Sequence, residues 1–173
     1  MCECYIIGGP WIAEDPDCPE HGTEAQARQR EVDANWAKPI EVRIIKTYED
    51  LYILRDADVG DHIWNFNRHN LNTQSRTYFA ALRGEQLVGV AAISETTVWH
   101  ENSIGVGYIS THDEYKQGGV SKAIVEALFQ YAKSSKRNIS NSRYEPDGEL
   151  YLRRMMTAAA ARHPEVILFE RDA

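Results

Sequence analysis

Ile104-Gly105-Val106-Gly107-Tyr108-Ile109-Ser110 runs toward Glu114-Tyr115-Lys116-Gln117-Gly118-Gly119-Val120-Ser121, and Val120 opens a segment with Ala123, Ile124, Ala127, Leu128, Tyr131 and Ala132 at spacings of three and four. The first part reads as an apolar strand and the last as one face of an amphipathic helix. A strand, a glycine-bearing turn and a helix start make an anion cradle. The first backbone N–H groups of a helix have no internal partner, and the helix dipole adds partial positive charge there. Without side chains at Gly118 and Gly119, a phosphate can approach the backbone.

Before this segment, Arg76 to Leu82 and Gln86 to Ser94 read as two strands joined at Arg83-Gly84-Glu85, a hairpin signal. Ile40 to Thr47 alternates as a strand, and Tyr48 to about Asn67 reads as a helix through Leu51, Leu54 and Ile63. After the helix at 119 to 135 come a short strand near Asn138 to Tyr144, a helix from Gly148 to Arg162 capped by Asp147, and a terminal strand Val166 to Arg171. Three domains are expected: residues 1–23 rich in Cys, Gly, Pro and acids, a helical connector at 24–39 ended before Pro39, and a catalytic-sized domain at 40–173.

At 173 residues the chain can bury a normal core, and 43% hydrophobic content with 26% charge fits a globular protein rather than a disordered one. No apolar run approaches the roughly 18 to 20 residues of a membrane span. The N-terminus holds acids, prolines and cysteines where a signal peptide needs a basic stretch and an apolar core, so a cytoplasmic location is expected. A net charge of −7 argues against a broad nucleic-acid footprint, which needs clustered Lys and Arg.

The order strand, helix, three strands, helix, strand, helix, strand, with the glycine loop in its place, resembles the GCN5-related N-acetyltransferase (GNAT) family. That family opens its central helix with Arg/Gln-x-x-Gly-x-Gly/Ala. The matching positions are Lys116, Gly119 and Ser121, with Tyr115 where the family often carries an aromatic. Lys116 keeps the positive charge and Ser121 is small. The resemblance covers about residues 40 to 171 by element order and 105 to 132 by motif.

It implies an α/β (α+β) fold, a mixed central sheet flanked by helices, and an acetyltransferase that moves an acetyl group from acetyl-CoA to an amine by direct attack. Main-chain groups of Tyr108, Ile109 and Ser110 would pair with the pantetheine arm. The segment Lys116, Gln117, Gly118, Gly119, Val120, Ser121 and Lys122 would hold the pyrophosphate. A general base must deprotonate an ammonium whose ordinary pKa is about 10.4. Glu95 and His112 are the candidates for it, with His100 and Glu101 as alternatives. Tyr151 is the expected proton donor to the departing thiolate, with Tyr144 as the alternative. The acceptor is a small molecule, a protein or a modified nucleobase, met by Trp64, Asn65, Asn67, Arg68, His69, Trp99 and His100. A homodimer is also admitted.

Cys2-x-Cys4 and Cys18-x-x-His21-Gly22 use every cysteine in the chain. Three thiolates and an imidazole form a set suited to tetrahedral structural Zn2+, whose binding would supply folding energy to a small segment. The odd cysteine count speaks against a disulfide framework. Two rivals follow from these features: a zinc-stabilised binding module on a GNAT-like scaffold that has lost catalysis, and a small zinc-containing nucleic-acid binder.

Overall fold

A computed structural model describes residues 22–45, 50, 76–95, 97, 100–141, 144 and 146–170. The chain divides into two compact units, Met1–Lys38 and Pro39–Ala173. In the first, helix α1 (Gly22–Trp36) is mostly polar, with Val32 buried, and stops three residues before Pro39. Lys38 closes its end, the backbone N–H donating to Asn35 O at 3.0 Å and Nζ to Asn35 Oδ1 at 2.7 Å.

The second unit is built on six strands in sequential order: β1 (Ile40–Ile45), β2 (Arg76–Arg83), β3 (Gln86–Ser94), β4 (Ser103–Thr111), β5 (Asn138–Ser140) and β6 (Leu168–Phe169). β1 through β4 are antiparallel, and β4, β5 and β6 are parallel. Parallel neighbours need crossovers. Helices α2 (Val120–Ser134) and α3 (Pro146–Arg162) supply them. This mixed sheet flanked by helices is the fold that the sequence pattern implies.

Alternation divides the strands between two cores. Ile45, Tyr78, Ala80, Leu82, Leu87, Val90 and Ala92 pack together on one face, with Tyr108 against them. Phe79 points the other way and meets the edge of the Tyr131 ring on α2 at 5.7 Å. β2 and β3 are therefore covered on both sides, and Phe79, Ala80, Ala81, Val88, Ala91 and Ala92 are fully buried.

Two bulges shape the sheet. Ala81 faces Gly89 while Leu82 faces Leu87, so Val88 is the extra residue of β3. Ala92 faces Tyr108 while Ile93 faces Val106, which makes Gly107 the extra residue of β4. A bulge bends its strand and strengthens the local twist.

Several sequence expectations are corrected. α2 buries Val125 and Phe129 in addition to Val120, Ile124, Leu128 and Ala132, while Ala123, Ala127 and Tyr131 are half-buried. The face is wider than the sheet alone requires because α2 also packs on α3, where Phe129 stacks on His163 at 5.7 Å. Asp147 is not a cap: α3 begins at Pro146, whose fixed φ suits a first helical position. The last two strands shorten to three and two residues. Val166 lies instead in a turn, its N–H bonded to His163 O at 2.9 Å. The helix expected at 48–67 lies outside the described residues apart from Asp50.

Candidate active site

The cradle is held from below by the β2–β3 hairpin. Gly84, at φ 64°, makes the two-residue turn that brings Arg83 beside Gln86. Gln86 Oε1 accepts a 2.7 Å bond from the hydroxyl of Tyr115, whose ring is completely buried. Arg83 is 6% exposed, and its Nη2 donates to Gly118 O at 2.8 Å. One anchor is neutral and one is charged, and both come from the same turn.

The loop begins where β4 ends. His112 N–H donates to Val88 O at 2.9 Å, so the bulged residue of β3 fixes the exit of β4. A 3-10 turn, Asp113–Tyr115, follows, with His112 as its cap: Nδ1 accepts from Glu114 N–H at 3.3 Å, and the ring meets Tyr115 edge-on at 5.9 Å. Gln117 and Gly119 then take left-handed backbone, φ 68° and 80°. Gly118 N–H is used internally, bonding to Tyr115 O at 3.1 Å.

Gly119 is the N-cap of α2 and brings no side chain to it. A Cβ built there meets nothing within 4 Å among the described residues other than its chain neighbours, so these leave the space before the first turn open. The uncapped amides of that turn and the helix dipole are suited to an anion. Thr111 Oγ1 and Ser121 Oγ, 2.8 Å apart, tie the end of β4 to the helix. Lys122 is exposed. Lys116 Nζ lies 2.5 Å from Asp113 Oδ1, and this hydrogen bond, then the lysine's charge, holds the Asp113 carboxyl below its ordinary range.

The second feature is where β4 and β5 part. They pair only from Ser103 with Asn138 to Gly105 with Ser140. β4 continues through the Gly107 bulge to Tyr108, Ile109, Ser110 and Thr111, while β5 stays with β6, Asn141 N–H donating to Phe169 O at 2.9 Å. A Cβ at Gly107 would sit 3.1 Å from Ala92 O, so the bulge is packed tightly against β3. The opening therefore leads along one strand straight to the anion cradle.

Three polar groups follow the last paired residues of β5 and β6: Asn141, Tyr144 and Glu170. Tyr144 donates to Glu170 Oε1 at 2.8 Å, and the Arg153 guanidinium lies over the Tyr144 ring at 5.2 Å. Burial pushes the Tyr144 phenol well up, the bond to Glu170 adds to this, and Arg153 and Asn141 oppose it. Glu170 Oε2 is buried without a hydrogen bond among the described residues, as is Nδ2 of Asn141, a residue 5% exposed. Tyr108, on the β4 bank, has its phenol pushed well up by burial and by Tyr78. Tyr151 stands apart from this cluster as a 67% exposed residue of α3.

Glu95 is engaged elsewhere. Its carboxylate accepts from Thr77, from Tyr131 at 2.8 Å and from Arg137 Nη1 at 2.8 Å. Arg137 Nη2 also donates to the carbonyls of Glu95 and Ser103, the latter at 2.7 Å. This group sews together β2, β3 and β4 at the end remote from the cradle. His100 stacks on Phe169 at 4.0 Å, and Glu101 is exposed. Cys2, Cys4, Cys18, His21, Trp64, Asn65, Asn67, Arg68, His69 and Trp99 lie outside the described residues. Among the described residues no three His, Cys, Asp or Glu side chains gather as a metal site.

Arg83, Asn141 and Glu170 had no signal in the sequence beyond their residue types. Gly89 had a faint one, a glycine within an apolar strand.

The acetyltransferase (GNAT) family matches residues 42–156, more than half of the chain. The chain belongs to that family. Among curated proteins no sequence matches it.

Solved structures share the GNAT fold with it. AAC(6')-Iy, in complex with a CoA bisubstrate analogue, is 16% identical with a TM-score of 0.53, covering 79% of this chain and 99% of its own. An aminoglycoside acetyltransferase from an uncultured soil metagenomic sample is 11% identical, with a TM-score of 0.53 over 68% of this chain and 86% of its own. A transcriptional regulator from Bacillus halodurans C-125 is 14% identical, with a TM-score of 0.52 over 69% and 91%. At these identities the likeness is one of fold. Among the described residues of this GNAT protein, no helix is long and apolar enough to cross a membrane.

Proposed function

We propose that this GNAT protein is an N-acetyltransferase that moves the acetyl group of acetyl-CoA to an amine within a ternary complex. What supports this is the continuity of one strand: β4 leaves β5 after Gly105, bulges at Gly107 and delivers the chain to the uncapped start of α2. An extended thioester can lie beside Tyr108, Ile109 and Ser110 while its pyrophosphate meets the amides between Gln117 and Lys122. The complexes of AAC(6')-Iy with CoA and with a bisubstrate analogue are consistent with that use of the fold.

The reaction joins the amine nitrogen to the carbonyl carbon and breaks the C–S bond. One amine proton must leave and the thiolate must be stabilised or protonated. Glu170 is the base favoured by its surroundings, since Oε2 is buried with no hydrogen bond among the described residues and the residue directly follows β6, the strand beside β5. Tyr144 holds Oε1 and orients the carboxylate. Glu95 is disfavoured as base by its three donors, and His112 by its capping bond. Tyr151, an exposed residue of α3, is retained as the proposed donor to the thiolate.

Calorimetry with CoA and acetyl-CoA, followed by CoA release against an amine panel, tests this proposal. Absence of CoA binding at near-millimolar concentration would sink it. Binding without turnover would favour the rival module that has lost catalysis, a reading to which the exposure of Tyr151 lends weight. A cytoplasmic location and a homodimer are consistent with it. The boundaries 1–23, 24–39 and 40–173 are retained as proposed domains. The Cys2, Cys4, Cys18 and His21 set is proposed to hold structural zinc on donor chemistry alone, and metal analysis of the purified chain decides it.

A further inference from the structure

We propose that Arg83 is the residue that aims the pyrophosphate loop, acting through Gly118 without touching the ligand. The proposal rests on the CoA site above. Gly118 C=O and Gly119 N–H belong to one planar peptide unit, and in a trans peptide the two point in opposite directions. Arg83 draws the carbonyl toward the hairpin beneath the loop through a 2.8 Å bond. The Gly119 N–H is thereby turned away from the hairpin, and a Cβ built at Gly119 meets nothing within 4 Å among the described residues other than its chain neighbours.

This peptide needs such a hold. The amides after Gly119 are fixed by the helix they open, whose first bond runs from Ala123 N–H to Gly119 O at 3.0 Å. Gly118 N–H is fixed by Tyr115 O. The unit between two glycines can rotate at little steric cost, because neither residue carries a Cβ. Rotated, it would present a carbonyl oxygen to the phosphate in place of a donor. Arg83 removes that alternative, and its guanidinium is an always-charged group that a buried site holds at a bonded carbonyl. The same contact places positive charge below the loop, which adds to the field of the helix start.

A purely structural role would also put a buried arginine at this position, so the test separates aim from stability. Titrate CoA, ADP and inorganic pyrophosphate into wild type, Arg83→Met, Arg83→Lys and Leu128→Ala by calorimetry, recording Tm for each. Leu128→Ala truncates the core of α2 away from the loop and serves as the stability control. Arg83→Met is expected to weaken all three ligands about 10-fold or more, Arg83→Lys to recover most of that loss, and Leu128→Ala to lower Tm with CoA affinity kept within about twofold. In 15N-edited NMR the Gly119 amide should move downfield on adding pyrophosphate to wild type, and the shift should shrink in Arg83→Met. Equal CoA affinity for wild type and Arg83→Met, or a loss that only tracks Tm, overturns the assignment while leaving the CoA site standing. Failure of wild type to bind CoA overturns both. If Arg83→Met does not fold, Arg83→Lys and the NMR shift decide alone: an unmoved Gly119 amide in CoA-bound wild type refutes the proposal.

Discussion

The first turn of α2 rests directly on Gly89: a Cβ at that position would lie 2.5 Å from Val120 Cγ1 and 3.1 Å from both Ile124 Cδ1 and Ser110 O. The start of the helix is thus seated by a missing side chain one strand away. Gly89→Ala should push the turn off the sheet and cost about 1–3 kcal/mol by overpacking. Because that turn carries the amides of the cradle, CoA affinity should fall with stability. Urea denaturation and calorimetry on the one variant check both, and unchanged CoA affinity would show that the turn can shift without loss of the site.

Glu170→Gln should lower turnover about 100-fold or more, the usual scale for removing a general base, while CoA affinity stays within twofold. Tyr144→Phe should give a smaller loss, since Glu170 survives but loses its orienting bond. Steady-state kinetics against an accepted amine, alongside CoA calorimetry, measures both. A Glu170→Gln enzyme with wild-type kcat would move the base elsewhere.

Glu95 predicts the opposite pattern. Arg137→Met leaves its half-buried carboxylate without the ionic partner, a kind of change that costs about 3–5 kcal/mol when the pair is buried and less here because both side chains are about one-fifth exposed. Glu95→Gln should therefore lower the urea midpoint and leave kcat within a few-fold. A large fall in kcat with an unchanged midpoint would restore Glu95 as the base.

The α2–α3 contact carries a pH signature. Arg162 first, and then His163, hold the Glu126 carboxyl below its ordinary range. A depressed acid stabilises the fold above its unfolded value of about 4.3, and that contribution is lost as pH falls through the lower folded value. Urea denaturation from pH 7 to pH 3 should show wild type more stable than Glu126→Gln at neutral pH, with the gap closing on the acid side. A gap that is constant with pH would mean the pair contributes through packing alone.

Much of the fold was legible because its signals are local. The β2–β3 hairpin follows from two apolar runs joined across Gly84, and α2 from its 3.6-residue period. The cradle could be found as a strand, two glycines and a helix start. What was not legible comes from tertiary approach. Arg83 at a strand end looks like a solvated cation until the loop closes over it. Glu170, near the chain end, looks like an ordinary surface acid until Tyr144 reaches it across 26 residues. Glu95 has the residue type and strand-end position expected of a base, and only the placement of Arg137 and Tyr131 shows that its lone pairs are already used. Val125 and Phe129 escaped the single-face pattern because α2 has two neighbours, the sheet and α3.

The unequal lengths of β4 and β5, nine residues against three, have a further consequence for the protein's behaviour in solution. Beyond Gly105, among the described residues, β4 runs without a strand beside it on the β5 side. The seam between β4 and β5 thus closes over three residue pairs only, and the parallel half of the sheet hangs on it. A co-substrate lying along β4 would brace that half, so the amides of β5 should exchange with solvent more slowly in samples that carry CoA than in samples stripped of it.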